Sequence, residues 1–223
     1  VGFGKTEVAM RAAFKAVQSG KQVAVVAPIT ILADQHYKNF SDRMKPFGVR
    51  LEMLSRFRTP KEQAVILEDL RKGNLDIVIG THRLLQPDVV FHNLGLVVVD
   101  EEQRFGVKQK ERFKELRASV DILTLTATPI PRTLNLGLHN LRDITTITTP
   151  PPGRLPIITE VRKYSDTLIR EAILNEVKRK GQCFVLHNRV ETIDAFAEKL
   201  RSLVPEATFV VGHGQLSPDT LEE

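Results

Sequence analysis

The chain has 223 residues, 42% of them hydrophobic, no apolar run near the ~20 residues of a bilayer crossing and no segment with a signal-peptide layout, so neither a membrane span nor a signal peptide is expected within it. Cys183 is the only cysteine, which rules out an internal disulfide and makes a reducing, cytoplasmic setting the expectation. Net charge is +5, but residues 1–150 hold 22 Lys+Arg against 16 Asp+Glu, while residues 151–223 hold 10 against 11. The positive excess therefore lies in the first part, as suits a polyanionic partner.

Gly2-Phe3-Gly4-Lys5-Thr6 opens the chain as the tail of a phosphate-binding G-x-x-x-x-G-K-T loop, whose first glycine would lie two residues before Val1. Such glycines turn backbone N–H groups onto phosphate oxygens, the lysine reaches the β/γ-phosphates, and the threonine hydroxyl can ligate Mg²⁺. A helix is expected over Lys5–Gln18 and a strand over Gln22–Ala27. Ala27-Pro28-Ile29-Thr30 then turns into a helix over Ile31–Met44, with Gln35 and His36 able to meet a phosphate backbone.

A strand over Val49–Leu54 runs into Ser55-Arg56-Phe57-Arg58, and a helix over Pro60–Lys72 follows. The next strand, Asp76–Ile79, leads to Gly80-Thr81-His82-Arg83. Each of these loops alone reads as a solvated turn. In series, at successive strand ends of the basic half, they predict a track for nucleic-acid phosphates.

Leu96–Asp100 is a valine-rich strand of the kind buried on both faces, and it ends in Asp100-Glu101-Glu102-Gln103. Acids crowded at a strand end need a cation, which predicts a Mg²⁺-ordering Asp100 and a water-polarising Glu101. The helix over Val107–Arg117 interleaves Lys and Arg with Glu111 and Glu115 and reads as a solvated face. After the strand Ile122–Thr126, the string Thr126-Ala127-Thr128-Pro129 is either a simple turn or a hydroxyl-lined hinge. Alternation of strands and helices predicts an α/β fold with a parallel sheet and ligands at the carboxyl ends of the strands.

Pro150-Pro151-Pro152-Gly153 breaks this rhythm and sets a linker over 151–156. Beyond it the pattern predicts strands Ile157–Val161, Cys183–His187 and Thr208–Val211 and helices Thr167–Lys180 and Thr192–Leu203. Cys183, beside Phe184 and Leu186, reads as core packing. No histidine has metal-ligand spacing, no G-x-S-x-G elbow is present, and Trp is absent, which argues against base-stacking platforms.

Together these strings resemble the superfamily 2 helicases and translocases. Gly2–Glu7 is similar to motif I, Ala27–Tyr37 (APITILADQHY) to motif Ia, Gly80–His82 to motif Ic, Asp100–Gln103 to the DEx(H/Q) box and Thr126–Pro129 to motif III. Val99–Val107 (VDEEQRFGV) and Leu123–Leu134 (LTLTATPIPRTL) narrow the resemblance to the bacterial transcription-repair coupling factors and, slightly less well, to RecG-type branched-DNA helicases. Ser55-Arg56-Phe57 favours the former, and Gly212–Gln215 resembles a motif of the second lobe.

The resemblance implies a RecA-like P-loop lobe over 1–150, a linker over 151–156 and an incomplete second RecA-like lobe over 157–223. It implies ATP and Mg²⁺ as cofactors, held by Gly2, Phe3, Gly4, Lys5, Thr6 and Glu7, with Thr6 and Asp100 on the metal. Lys5, Asp100, Glu101 and Gln103 are the implied catalytic residues, and Thr126 and Thr128 the coupling residues. The implied DNA contacts are Pro28, Thr30, Gln35, His36, Arg56, Thr81, His82 and Gln215. The implied activity is ATP-driven translocation on double-stranded DNA in transcription-coupled repair, acting on stalled RNA polymerase and serving nucleotide-excision-repair proteins. Branched-DNA helicase activity is the alternative, and a module that binds nucleotide without turnover is a third reading. Because arginine-bearing motifs of the second lobe lie outside these residues, the chain by itself is expected to hydrolyse ATP at near-background rates.

Overall fold

The computed structural model describes residues 2–55, 58–128 and 143–216, and the chain divides into two compact units, Val1–Leu155 and Pro156–Glu223. The first is built on five parallel strands: β1 (Gln22–Val26), β2 (Leu51–Leu54), β3 (Ile77–Gly80), β4 (Leu94–Asp100) and β5 (Asp121–Leu125). Their order across the sheet is β2-β3-β1-β4-β5. α1 (Lys5–Gln18) precedes β1, and α2 (Thr30–Met44), α3 (Pro60–Lys72) and α4 (Val107–Leu116) connect β1 to β2, β2 to β3 and β4 to β5.

Strand periodicity divides the core between two faces. Val23 and Val25 of β1, with Leu96 and Val98 of β4, pack with Ala9, Met10 and Ala13 of α1 and Phe40 and Met44 of α2. The intervening Ala24, Val26, Val97 and Val99 pack on the other side with Ile66 and Leu70 of α3 and Phe113 of α4. Successive side chains of a strand point to opposite faces, so strands covered by helices on both sides read as unbroken valine runs.

Local chemistry sets the boundaries. Thr59 and Glu62 form a reciprocal capping box at the start of α3: Glu62 N donates to Thr59 Oγ1 at 3.3 Å and Thr59 N to Glu62 Oε2 at 2.7 Å. At Gly80 an added Cβ would lie 2.4 Å from the Leu54 carbonyl oxygen, so only glycine lets the ends of β2 and β3 approach this closely. Gln22 is a buried polar pin at the opposite end of the sheet. Its Nε2 donates to Leu70 O and Leu75 O at 2.9 and 2.8 Å, and its Oε1 accepts from His92 N and Asn93 N at 2.7 and 2.9 Å.

In the second unit, α5 (Asp166–Lys178) and α6 (Ile193–Leu203) are held by Arg170–Glu206 and Lys199–Asp166 ion pairs, both 2.8 Å. The three strands expected at 157–161, 183–187 and 208–211 are not formed. Extended apolar segments become strands only through ladder hydrogen bonds to a neighbour, and among the described residues none joins these. Most of their side chains stand in solvent, Phe184 at 99% and Val161 at 98% exposure, and Cys183 is exposed where core packing was expected. Among the described residues no helix is long and apolar enough to cross a membrane.

Candidate functional site

Gly4 caps the N-terminus of α1 in the left-handed conformation, φ 84°, with no side-chain cap and nothing within 4 Å of where a Cβ would be. A bare, uncapped helix start beside open space is suited to a phosphate, since first-turn amides lack intrahelical acceptors and the helix dipole favours an anion. Lys5 and Thr6 follow on the first turn, half-buried, and the Phe3 ring lies 4.5 Å beneath the Arg154 guanidinium.

Glu7 departs from expectation. Its carboxylate accepts from Arg43 at 3.0 and 3.2 Å and from Arg11 at 2.9 Å, which holds it below the usual carboxylate range, Arg43 having the larger effect. It braces α1 against α2.

The acids meet the end of β5. Asp100 closes β4, and Glu101 follows in the left-handed conformation, φ 50°, which turns its side chain back toward Thr126–Thr128. A non-glycine residue held there stores strain that the surroundings must offset. Here Glu101 N donates to Leu125 O at 2.9 Å, and the carboxylate accepts from Ala127 N at 3.1 Å and from Gln103 Nε2. The Gln103 amide also reaches Thr128 Oγ1 at 3.3 Å, while its Oε1 accepts from Thr126 Oγ1 at 3.3 Å. Thr126 Oγ1 has one proton and stands 3.4 Å from Glu101 as well, so it can serve either acceptor. The structure thus brings Glu101, Gln103, Thr126 and Thr128 into one hydrogen-bonded set.

Asp100 has an unforeseen partner. His36 Nε2 lies 2.9 Å from Asp100 Oδ2, both side chains largely buried. His36 was expected on the phosphate track, but it is 6% exposed with its reachable nitrogen spent on Asp100. The signal was in the sequence: Ala33, His36 and Phe40 share one face at helical spacing, and all three are buried.

The remaining strand ends form a cleft of about 400 Å³ lined by Pro28, Ile29, Thr30, Ser55, Gln63, Thr81, His82 and Arg83. Pro28, Thr30, Thr81 and His82 were expected there, although Thr81 is only 6% exposed. Arg56 lies outside the described residues. Gln35 is exposed on α2 but does not line the cleft, and Gln215 is exposed in the second unit. Gln63 joins the cleft from a helix, away from the strand ends to which the motifs point. It sits in α3, donates to Arg58 O at 2.9 Å and accepts from Arg83 Nε at 3.3 Å. Arg83 forks onto Asp88 at 2.8 and 2.6 Å and holds that carboxyl below its usual range. Among the described residues, no group of three His, Cys, Asp or Glu side chains forms a ready-made metal cage.

Residues 1–136 match the model of the DEAD/DEAH box helicase family. The whole chain is similar to the transcription-repair-coupling factors of Haemophilus influenzae (60% identical), Escherichia coli (59%) and Bacillus subtilis (52%), and spans 19% of the length of each. A solved structure of RecG bound to a three-way DNA junction superposes with a TM-score of 0.73 at 37% identity, covering 91% of this chain and 27% of that one. The helicase MrfA bound to DNA and AMPPNP shares the fold, with a TM-score of 0.57 at 17% identity over 88% of this chain and 36% of that one.

Proposed function

The chain belongs to the DEAD/DEAH box helicase family, and on that premise we propose that it is part of an ATP-driven double-stranded DNA translocase of transcription-coupled repair, one that displaces stalled RNA polymerase. What supports the motor reading is one arrangement: the uncapped start of α1, the acids after β4 and the hydroxyls after β5 border a parallel sheet whose neighbouring strand ends form the cleft. The choice within the family rests on identities of 52–60% to coupling factors against 37% to RecG.

In this reading the backbone from Gly2 to Thr6 cradles the nucleotide phosphates and the Lys5 ammonium pairs with the β/γ oxygens. Thr6 and Asp100 would hold Mg²⁺, which would offset phosphate charge. Glu101 orients the attacking water and accepts its proton, so the strained φ and the Ala127 N–H that fix the carboxylate set the direction of attack. Gln103 hydrogen-bonds Thr126 and Thr128, and through them a change at the phosphates reaches the end of β5. Pro28, Thr30, Thr81 and His82 face the backbone of duplex DNA in the cleft, with RNA polymerase and repair proteins engaged elsewhere on the full-length protein.

The test is phosphate release by the full-length protein carrying this chain, with and without duplex DNA. DNA-stimulated turnover that Glu101→Gln abolishes while sparing ATP binding is the expected result. Turnover indifferent to DNA, or surviving Glu101→Gln, rejects the reading.

A further inference from the structure

α2 begins on the wall of the cleft at Thr30 and, less than two turns later, buries His36 against the end of β4. The imidazole packs edge-on to Phe40, ring centroids 6.4 Å apart. Its Nδ1 is buried without a hydrogen-bond partner, so among the described residues Asp100 is the only polar group the ring engages. Burying an imidazole beside an apolar stripe is unfavourable unless its polar atoms are satisfied, and here just one of the two is. A core position needing only volume would be filled better by Leu or Met. A carboxylate oxygen accepts, so the ring donates through Nε2–H. Among the described residues the other carboxylate oxygen, Oδ1, has no hydrogen-bond partner.

We propose that His36 is a positioning residue for Asp100: its Nε2–H holds Oδ2 so that Oδ1 is presented to the metal that accompanies the nucleotide. The inference rests on the function proposed above and adds a residue to it. Partners of this kind orient a metal-ligating carboxylate, and their loss costs about 10- to 100-fold in metal affinity or activity. Because the donor rides on the helix that borders the cleft, the carboxylate of the nucleotide site is hydrogen-bonded to the same element that supplies a wall of the cleft.

Two polar, uncharged substitutions separate the Nε2 contact from burial alone. Gln carries its amide nitrogen as many bonds from Cα as Nε2, whereas Asn carries it at the Nδ1 distance and cannot reach Asp100. In the full-length protein, a fluorescent ATP analogue is titrated in EDTA and across a Mg²⁺ series, with melting temperatures as a check on folding. His36→Asn should raise the Mg²⁺ concentration for half-maximal binding by about 10- to 100-fold and leave affinity in EDTA unchanged. His36→Gln should stay close to wild type. If His36→Asn melts early, His36→Leu, which fills the space beside Phe40, replaces it. An unshifted Mg²⁺ midpoint in the variant lacking the donor, an equal loss in EDTA, or a Gln variant that falls with Asn each overturns the assignment. Wild type binding the analogue with a Mg²⁺ requirement while His36→Asn matches it removes His36 only. Wild type showing no Mg²⁺-dependent binding removes the proposed function as well.

Discussion

Ala127, just past the end of β5, donates its backbone N–H at 3.1 Å to the carboxylate of Glu101, just past the end of β4. The two strands are neighbours in register, Asp100 beside Leu125, so the acid meets that amide because the sheet sets it there. Gln103 then ties the pair to Thr126 and Thr128 through its side-chain amide. A shift of the γ-phosphate that moved Glu101 or Gln103 would have a direct mechanical path to the backbone after β5.

Thr126→Val tests that path. Valine keeps the shape and removes the hydroxyl that donates to Gln103 and accepts from Thr128 N at 3.1 Å. Nucleotide and DNA affinities measured separately should change little, while stimulation of ATP turnover by DNA should fall about 2- to 30-fold, the range of 0.5–2 kcal/mol coupling energies. Equal losses in affinity and in stimulation would place Thr126 in binding instead.

Lys5→Ala addresses the phosphate loop. Loss of a charged hydrogen bond to phosphate costs of order 1.5–3 kcal/mol, or roughly ten- to a hundredfold in nucleotide affinity. Removing Mg²⁺ should weaken wild type as well, because Asp100 then faces the phosphates without a neutralising cation. Titration of a fluorescent ATP analogue checks both, and a Lys5→Ala variant that binds like wild type argues against the assignment.

Most of the first unit was legible because each signal was local and strong. Unbroken valines in Val97–Val99 and the alternation of short apolar runs with helical stretches state their roles without tertiary help. The second unit was not legible in the same way. Cys183–His187 and Thr208–Val211 have strand composition, but pairing is a property of two segments, and composition describes only one. The placement of His36 and Glu7 was hidden for a related reason. The motif fixed their residue types, and only the packing of α2 on α1 and β4 turned one toward Asp100 and the other toward Arg43.

Gln22 carries a stability prediction. Gln22→Leu keeps the volume but strips partners from two carbonyls and two amides at the base of the sheet. Unsatisfied buried groups cost about 1–3 kcal/mol each, and water can reach those near the exposed His92 and Asn93, so about 3 kcal/mol is expected in total. For a unit of this size that lowers the melting temperature by about 6–12 °C. Calorimetry finding a drop under 2 °C would mean the pin is redundant.

Asp88 is the lever for the cleft. Arg83 lines the cleft with its guanidinium forked onto Asp88 at 2.8 and 2.6 Å, so its charge is neutralised beside the surface proposed to hold DNA. Asp88 is 55% exposed, and ion pairs at that exposure contribute at most about 1 kcal/mol, so Asp88→Asn should leave the fold intact. It removes one negative charge from the rim and frees Arg83 for a phosphate. Duplex affinity at low salt should therefore rise, by a similar factor on unrelated sequences, since phosphates carry no sequence information. The slope of log affinity against log salt should steepen by up to about one unit, the contribution of one added phosphate contact. Arg83→Gln should move both quantities the other way. Fluorescence anisotropy across a salt series on two duplexes measures each. If Asp88→Asn instead weakens binding, Asp88 is the residue that aims Arg83 at the DNA, and its negative charge is part of the interface.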